Sequence, residues 1–286
     1  AFEQAFHGRT MGSLALTGKP ALRAPFEPML PGVEHLPTDL DALEAALGDD
    51  VAALVLEPIK GEAGVVPLPD GFLTAARALT ARHGTLLIID ETHTFSAGPG
   101  GMTTAYDLEP DLVVIGKAIG GGIPTGAYGL SAEFAERALA RTDLDLVDMG
   151  GVGGTLAGNP VSVAAMRATL EHVLTDEAFA HMIDTATYFT DGVNALFDRY
   201  DLPWAINQLG ARAEYRFARP YPLNGTQAAE AADGELEDMI HLYLANRGIM
   251  LTPFHNMALM APMTSRADVD AHHRAFEAAI VALVAK

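Results

Sequence analysis

Apolar runs of strand length alternate with helix-like segments through the first half of the chain. Residues 51–58 form one such run, VAALVLEP, and residues 85–90 and 111–115 form two more. Continuous apolar strands joined by helices are typical of a parallel sheet with helices on both faces, because each right-handed crossover needs a helix-length connection. The sequence therefore predicts an α/β fold built on a mostly parallel sheet flanked by helices.

Capping residues predict where the helices begin. The predicted starts are Thr38 with Asp41, Asp70, Asn159 before Pro160, and Asp176. The last third has a different pattern, with a strand at 211–218, a helix at 228–246 and short apolar pieces, which is typical of an α+β unit. We therefore expect a large domain over residues 1–175 and a smaller α+β domain over residues 176–286.

Composition excludes several classes of function. The formal net charge of the 286 residues is −19, which opposes nucleic-acid binding and docking on anionic membranes. The chain has no cysteine, so disulfides and thiolate metal sites are excluded, and we expect no bound metal. No apolar run reaches membrane-spanning length and no signal peptide is recognisable, so we expect a cytoplasmic protein.

Two charged residues follow two of the predicted strands. Asp90 ends TLLIID, and Lys117 follows DLVVIG and precedes a glycine-rich turn. Ligands of open parallel sheets gather beyond the carboxyl ends of the strands, so both side chains are expected at one site. A lysine there can form a Schiff base with pyridoxal phosphate, and a carboxylate can hold the pyridine nitrogen protonated.

Both assignments have competitors. Lys60 also follows a strand, but Lys117 has more apolar surroundings, in which a desolvated amine is more nucleophilic, and glycines behind it that let a bulky ligand approach. Glu91 could replace Asp90 as the ligand group, because neighbouring strand residues point to opposite faces. A solvated lysine and a capping aspartate are the structural alternatives. The residues alone leave the choice between Asp90 and Glu91 open.

Two further segments have more than one interpretation. Residues 150–155, GGVGGT, are either a flexible turn or a cradle in which amides and the Thr155 hydroxyl bind phosphate. Residues 6–9, FHGR, offer an aromatic ring and a cation to a ligand, or else supply a core phenylalanine and a surface arginine.

Five segments follow the order and approximate spacing of one protein family: FHGRT, LEPIKGEAGV, LLIIDE, IGKAIGGGIP and GGTLAGNP. With them the chain resembles the class III pyridoxal phosphate-dependent aminotransferases over nearly its whole length. The first part resembles acetylornithine and ornithine aminotransferases, and the later part, with ETHTFSAGPGG and the tail, resembles glutamate-1-semialdehyde aminomutases. The resemblance implies the fold of aspartate aminotransferase, fold type I.

The resemblance implies a role for each matching residue. Lys117 would be the Schiff-base lysine and proton carrier, and Asp90 would pair with the pyridine nitrogen. The other residues near the cofactor would be Phe6 on the ring face, His7, Gly8, His93 beside the 3-hydroxyl, where glutamine is common, and Thr155 on the phosphate in a partner subunit. The substrate pocket would include Arg9, Glu57 and Glu62. An active site shared between subunits implies a homodimer.

The chain departs from the family pattern in two places. It begins within what resembles the middle of the large domain, so the N-terminal part of the usual fold is expected to be absent. The resemblance also places Leu259 where acetylornithine-type members carry an arginine for the substrate carboxylate. Arg212 or Arg216 could take over that contact, or either could be a solvated strand residue.

These residues predict an aminotransferase that moves an amino group between an amine or ω-amino acid and a keto acid or aldehyde. One alternative is an intramolecular aminomutase of the glutamate-1-semialdehyde type, which would use the same site. An alternative of another class is a catalytically impaired cofactor-binding fragment, because no phosphate loop of the family's upstream type is recognisable.

Overall fold

A four-stranded sheet organises the first half of the chain in the computed structural model, which describes residues 1–60, 66–141, 154–253 and 255–284. The strands within these ranges are β1 (Ala53–Leu56), β2 (Ile59–Lys60), β3 (Val66–Pro67), β4 (Leu86–Asp90), β5 (Leu112–Gly116), β6 (Gly126–Leu130), β7 (Ala205–Leu209), β8 (Arg212–Arg216) and β9 (Met257–Leu259). The large sheet has the order β1-β4-β5-β6, in which β6 alone runs antiparallel to its neighbour. The predicted mostly parallel sheet is confirmed.

Helices cover this sheet and form most of the later part of the chain. In the described ranges they are α1 (Met11–Leu16), α2 (Pro20–Arg23), α3 (Leu40–Ala46), α4 (Phe72–His83), α5 (Gly101–Ala105), α6 (Ala132–Leu139), α7 (Pro160–His172), α8 (Asp176–Arg199), α9 (Gly225–Glu230), α10 (Gly234–Ala245) and α11 (Arg266–Val284). Short 3₁₀ turns occupy Ala24–Phe26, Thr94–Ala97 and Lys117–Gly120. None of the helices described here combines the length and apolarity needed to cross a bilayer.

Helix starts follow the predicted segments, but two caps differ by one residue. Asn159 caps α7 as predicted, since its side chain accepts a hydrogen bond at 3.0 Å from the third backbone amide beyond it. The cap of α3 is Asp39 and not Thr38, and the cap of α8 is Thr175 and not Asp176. In each case the residue with extended backbone and an accepting side-chain oxygen is the one just before the first helical turn.

Two predictions of helix extent are wrong. Asp70 does not cap α4, which instead begins after Gly71, a residue with φ of 74° and no side chain to accept a hydrogen bond. The predicted helix at 228–246 is two helices, α9 and α10, because the Asp233 side chain accepts from the amide of Leu236 at 3.1 Å and starts a new helix.

Two hydrophobic cores lie in different parts of the chain. The first joins β1 and β4 to α3 and α4 through buried side chains that include Leu54, Leu56, Leu87 and Ile89. The second joins α8, α10 and α11 to the antiparallel sheet β7-β8-β9 through buried aromatic and aliphatic side chains, among them Phe189, Phe197, Tyr215 and Phe276. The boundary at residue 175 stays a prediction.

The segment after β4 contacts the second core. Phe95 packs edge-on against Phe179 with ring centroids 6.1 Å apart, and the backbone oxygen of Ser96 accepts from the amide of Ala211 at 2.9 Å. Residues that follow a strand of the large sheet therefore hold the start of β8 beside that strand's carboxyl end.

A buried histidine in the second core should make this chain sensitive to acid. His272 is 4% exposed and stacks between aromatic rings, with ring centroids 4.7 Å from Phe189 and 5.3 Å from Phe276. Burial, with the neighbouring His273, lowers the pKa of His272 from 6.5 to about 3. The unfolded chain therefore binds a proton that the folded chain excludes, and stability falls as the pH drops through 6.5 toward 3.

His272→Leu should flatten this pH dependence, because leucine has no proton to bind in the unfolded state. The loss of unfolding free energy between about pH 7 and pH 5 should shrink by about 2 kcal/mol relative to the wild type. Urea unfolding at the two pH values measures the difference. His172→Gln, which changes an exposed histidine on α7, is the control and should leave the slope as it was. An unchanged slope in His272→Leu would refute the assignment.

Candidate active site

Parallel pairing brings Asp90 and Lys117 to one edge of the large sheet. Asp90 is the last residue of β4 and is paired with Val114 of β5, and Lys117 directly follows the last residue of β5. Because both strands run in the same direction, their carboxyl ends lie side by side. The edge predicted from the apolar runs therefore carries both groups.

Asp90 is a buried carboxylate held by the N-terminal segment. Its Oδ2 lies 2.9 Å from His7 Nδ1, and its Oδ1 accepts from the Thr92 amide at 3.0 Å. Burial favours the neutral acid, but the hydrogen bonds from His7 and Thr92 outweigh it and hold the pKa of Asp90 below its usual value. Asp90 is therefore a fixed negative charge at the sheet edge.

Glu91 is committed to local structure. It is 1% exposed, and its carboxylate accepts hydrogen bonds from the hydroxyls of Thr94 and Thr103 and from the amides of Met102 and Thr103. These donors belong to the turn and helix that follow β4, so the carboxylate fixes that connection. Glu91 points away from Asp90, as strand alternation requires, and the choice of Asp90 as the ligand group stays a prediction that the donors of Glu91 favour.

Lys117 has an uncommon backbone conformation and an accessible amine. Its φ is 48°, in the left-handed region that non-glycine residues rarely adopt, and it opens the 3₁₀ turn Lys117–Gly120. Such strain concentrates at functional sites, where the surrounding fold holds it in place. The predicted desolvation of Lys117 is wrong for this chain: its side chain is exposed, because the turn carries it out past the last buried residue of β5.

His93 contacts the lysine and connects it to a second carboxylate. Its Nε2 makes a short hydrogen bond with Lys117 Nζ, and its Nδ1 lies 3.7 Å from Glu57 Oε2. Burial, with the cations Lys117 and Arg212 nearby, lowers the pKa of His93 to about 3. The imidazole is therefore neutral and accepts from the Lys117 ammonium at Nε2.

Glu57 lies behind His93 and not on the cavity surface. It is buried, and its Oε1 accepts from the Phe6 amide at 2.8 Å. The carboxylate thereby ties the N-terminal segment to the end of β1. Glu62, the other acidic residue predicted for the pocket, lies outside the described residues, as do Gly150–Gly153 of the predicted phosphate cradle.

The glycines after Lys117 contact protein atoms. A Cβ on Gly120 would lie 2.5 Å from Thr125 Cγ2, and one on Gly121, whose φ is +57°, would lie 2.7 Å from Thr169 Oγ1. Gly120 and Gly121 therefore let the turn pack against α7 and the start of β6. A Cβ on Gly122 would meet nothing within 4 Å, and the expected room for a bulky ligand stays a prediction.

A cavity of about 630 Å³ opens beside Lys117. Of the predicted site residues, Arg9, His93 and Lys117 line it, and Asp90 adjoins it through Thr92, which also lines it. Phe6, His7 and Gly8 do not line it. Thr155 is exposed in the turn just before α7, so no described contact ties it to this cavity.

The N-terminal segment combines the two interpretations proposed for residues 6–9. Phe6 is half-buried, and the cations Arg9 and Lys19 lie 5.8 and 5.9 Å from the centroid of its ring. Arg9 is exposed as a surface arginine would be, yet it lines the cavity. Arg9 therefore faces the cavity, with Phe6 packed beside it, and the contact of Phe6 with a ligand stays a prediction.

Sequence reasoning missed several lining residues. His255 lines the cavity from the segment before β9, and Arg212, considered only as one of two substitutes, lines it from β8. Arg212 pairs directly with Leu259 across β8 and β9, so the two side chains share a face of this sheet. No local pattern carries this information, because the cavity joins residues more than a hundred positions apart.

Comparison with known proteins assigns the family. A sequence model described as Aminotransferase class-III matches residues 1–280. The chain belongs to the class III aminotransferases. Acetylornithine aminotransferase of Mycobacterium leprae is 47% identical over 179 residues, or 61% of this chain and 42% of that protein. Glutamate-1-semialdehyde 2,1-aminomutase 2 of Geobacillus kaustophilus is 36% identical over 267 residues, or 88% of this chain and 60% of that protein. The resemblance to both types is confirmed.

A solved structure agrees with the fold. The crystal structure of a glutamate-1-semialdehyde-aminomutase from Pseudomonas aeruginosa PAO1 in complex with PMP has a TM-score of 0.85 and 41% identity, and the match covers 99% of this chain and 65% of that chain. The class III aminotransferase described here thus has fold type I, as predicted, and its cofactor is pyridoxal phosphate. It spans between 42% and 65% of the length of these three relatives. An anionic carboxylate and an accessible primary amine are the groups that this cofactor requires.

Neutralising Glu91 should mainly lower stability, whereas neutralising Asp90 should mainly lower turnover. Glu91→Gln should lower the free energy of unfolding by about 2–4 kcal/mol, because buried donors lose their acceptors. Asp90→Asn keeps an acceptor for Thr92, so it should change stability less, but it should slow turnover by about 100-fold or more through loss of the buried charge. Denaturant unfolding and steady-state kinetics on both variants measure the contrast. Equal effects of the two changes on turnover would contradict it.

Proposed function

We propose that this class III aminotransferase transfers an amino group between an amine or ω-amino acid and a keto acid or aldehyde. The observation that carries the proposal is the pairing of two contacts at one sheet edge. His7 holds the Asp90 carboxylate at 2.9 Å, and His93 contacts the Lys117 amine on the neighbouring strand. An acid and an amine fixed this way match the demands of the family's cofactor.

Asp90 keeps a charge opposite the cofactor's ring nitrogen. When bound, pyridoxal phosphate supplies an electron sink for negative charge that develops at the amino-bearing carbon. A carboxylate whose pKa is held below its usual value stays ionised, and so favours the protonated ring nitrogen. His7 orients that carboxylate, which would otherwise turn toward other donors.

Lys117 would bind the cofactor's aldehyde and would carry the substrate proton. Its exposure leaves the amine within reach of a ligand, and the neutral ring of His93 accepts a hydrogen bond from it. A positioned amine can take a proton from one atom and return it to another. Glu57, behind His93, orients the imidazole for this contact.

The remaining family roles are part of the same proposal. Phe6 would stack on the cofactor ring, and Gly8 would let the segment turn beside it. Arg9 and Glu62 would contact the substrate, and Glu57 would act on it from behind His93. Thr155 would bind the phosphate of a partner subunit's cofactor, so the active unit would be a homodimer, and the enzyme would act in the cytoplasm. The exposed position of Thr155 in the turn before α7 supports a contact outside this chain.

A glutamate-1-semialdehyde-type aminomutase is the second candidate, favoured by the relative of that name that matches 88% of the chain. It would use the same lysine and carboxylate but would keep the carbonyl intermediate in the site. A cofactor-binding protein without turnover is the third candidate.

Lys117→Ala should abolish covalent cofactor binding, because Lys117 is the one lysine among the described residues that line the cavity. The visible absorption band of the cofactor–lysine linkage should vanish, borohydride should fix no cofactor to the chain, and turnover should fall by at least about 10³-fold. Lys60→Ala is the control, since Lys60 ends β2 in a separate two-stranded sheet. If the band survives in Lys117→Ala and is lost in Lys60→Ala, the linkage forms at Lys60 and the assignment of Lys117 is wrong.

Release of the carbonyl product should distinguish the three candidates. With cofactor-loaded full-length protein and an amine donor in single turnover, a transaminase releases one carbonyl product per site and is restored by an added keto acid. A mutase should return an isomerised amine with no keto acid consumed. If the cofactor band forms and no donor changes it, the protein binds the cofactor without turnover. Chromatography of the products with the absorption spectrum measures all three.

A further inference from the structure

The charged side chains that line the cavity beside Lys117 are cationic. Among the described residues that line it, Arg9, Lys117 and Arg212 are positively charged and none has an acidic side chain. Carboxylates near the site, Asp90 and Glu57, lie behind the lining. A ligand in this cavity therefore meets cations without a competing negative charge on the wall.

Arg212 is the cation with the most fixed position. The residue is 4% exposed, whereas Arg9 and Lys117 are exposed. Its Nη1 donates to the backbone oxygen of His93 at 3.0 Å, so the guanidinium is anchored beside the residue whose ring contacts Lys117. An anchored guanidinium binds a carboxylate with little further loss of side-chain entropy.

The negative charge of Glu214 is shared between Arg212 and other groups. Its Oε1 lies 2.8 Å from Arg216 and 3.5 Å from His255, and its Oε2 lies 3.8 Å from Arg212. One buried carboxylate thus serves two guanidiniums and an imidazole. Positive charge remains on the side of the cluster that faces the cavity, where only Arg212 and His255 are lining residues.

Much of the remaining lining of the cavity is apolar. It includes Phe95, Phe179, Met182, Met257 and Met260. Methionine and aromatic side chains accept apolar groups of varied shape. The cavity therefore offers a ligand both cationic groups and apolar surface.

We propose that Arg212 binds the carboxylate of the amino donor, and that the donor is an amino acid with an apolar, ring-sized side chain held against the apolar part of the lining. This rests on the proposed aminotransferase function and narrows it, because a plain amine has no carboxylate for Arg212 to bind. The residue that pairs with it, Leu259, adds apolar surface to the same face.

Matched donors isolate the carboxylate. The experiment measures kcat/KM of the full-length, cofactor-loaded protein for two pairs of donors. The first pair is 3-amino-3-phenylpropanoate and 1-phenylpropylamine, in which a methyl group replaces the carboxylate. The second pair is phenylalanine and 2-phenylethylamine, in which a hydrogen replaces the carboxylate. In at least one pair the wild type should prefer the carboxylate by about 100-fold or more, as expected for a charged hydrogen-bonded pair. Arg212→Met should remove most of that preference through KM, and Arg212→Lys should restore part of it.

Arg9→Met is the matched control, since Arg9 is the other arginine on the cavity wall and is exposed. It should leave most of the preference in place. The proposal is overturned if the wild type shows no preference for the carboxylate in either pair, or if Arg9→Met removes the preference and Arg212→Met does not.

Binding without turnover gives an independent readout. Calorimetry should show 3-phenylpropanoate binding the wild type about 100-fold more tightly than 3-phenylpropanamide, with the difference lost in Arg212→Met. The proposed function fails if the cofactor band forms and no donor reacts, and the calorimetry still decides the role of Arg212. Equal binding of both ligands by the wild type overturns the role of Arg212, whatever the turnover.

Discussion

The parallel pairing of β4 with β5 is the constraint on which the site depends. Antiparallel neighbours would put Asp90 and Lys117 at opposite edges of the sheet, and no side chain could span that distance. Parallel strands need long crossover connections and helices that cover the sheet. The parallel pairing therefore requires α4 and the first hydrophobic core, which packs α4 against the sheet. The chemistry of the edge follows from the direction of two strands.

One histidine contacts each of the two charged groups, Asp90 and Lys117. His7 donates to Asp90 and keeps it ionised in spite of burial, whereas His93 accepts from Lys117 because its own ring is held neutral. The same residue type thus stabilises a negative charge in one place and a proton-donating amine in the other. Burial and the nearest charge decide which of the two occurs.

Local patterns predicted the sheet, most helices and the two charged strand ends, because periodicity and capping depend on neighbours in sequence. That turn donors surround Glu91 is shown only by packing, which favours Asp90 as the ligand group. The cavity positions of His255 and of Arg212, which the sequence offered only as a possible substitute, could not be predicted for a different reason. Their place in the cavity depends on how the second core docks on the segment after β4, which no local pattern encodes.

Under the proposed function, that docking separates the reacting groups from the substrate pocket. Asp90 and Lys117 belong to the first sheet, and Arg212 belongs to β8 in the sheet β7-β8-β9, with residues 93–97 between them. Substitutions on α8, β8 or β9 would then reshape the proposed donor pocket while Asp90 and Lys117 keep their positions. An enzyme divided in this way can change its substrate without changing its chemistry, and relatives that share the reacting edge need not share a substrate.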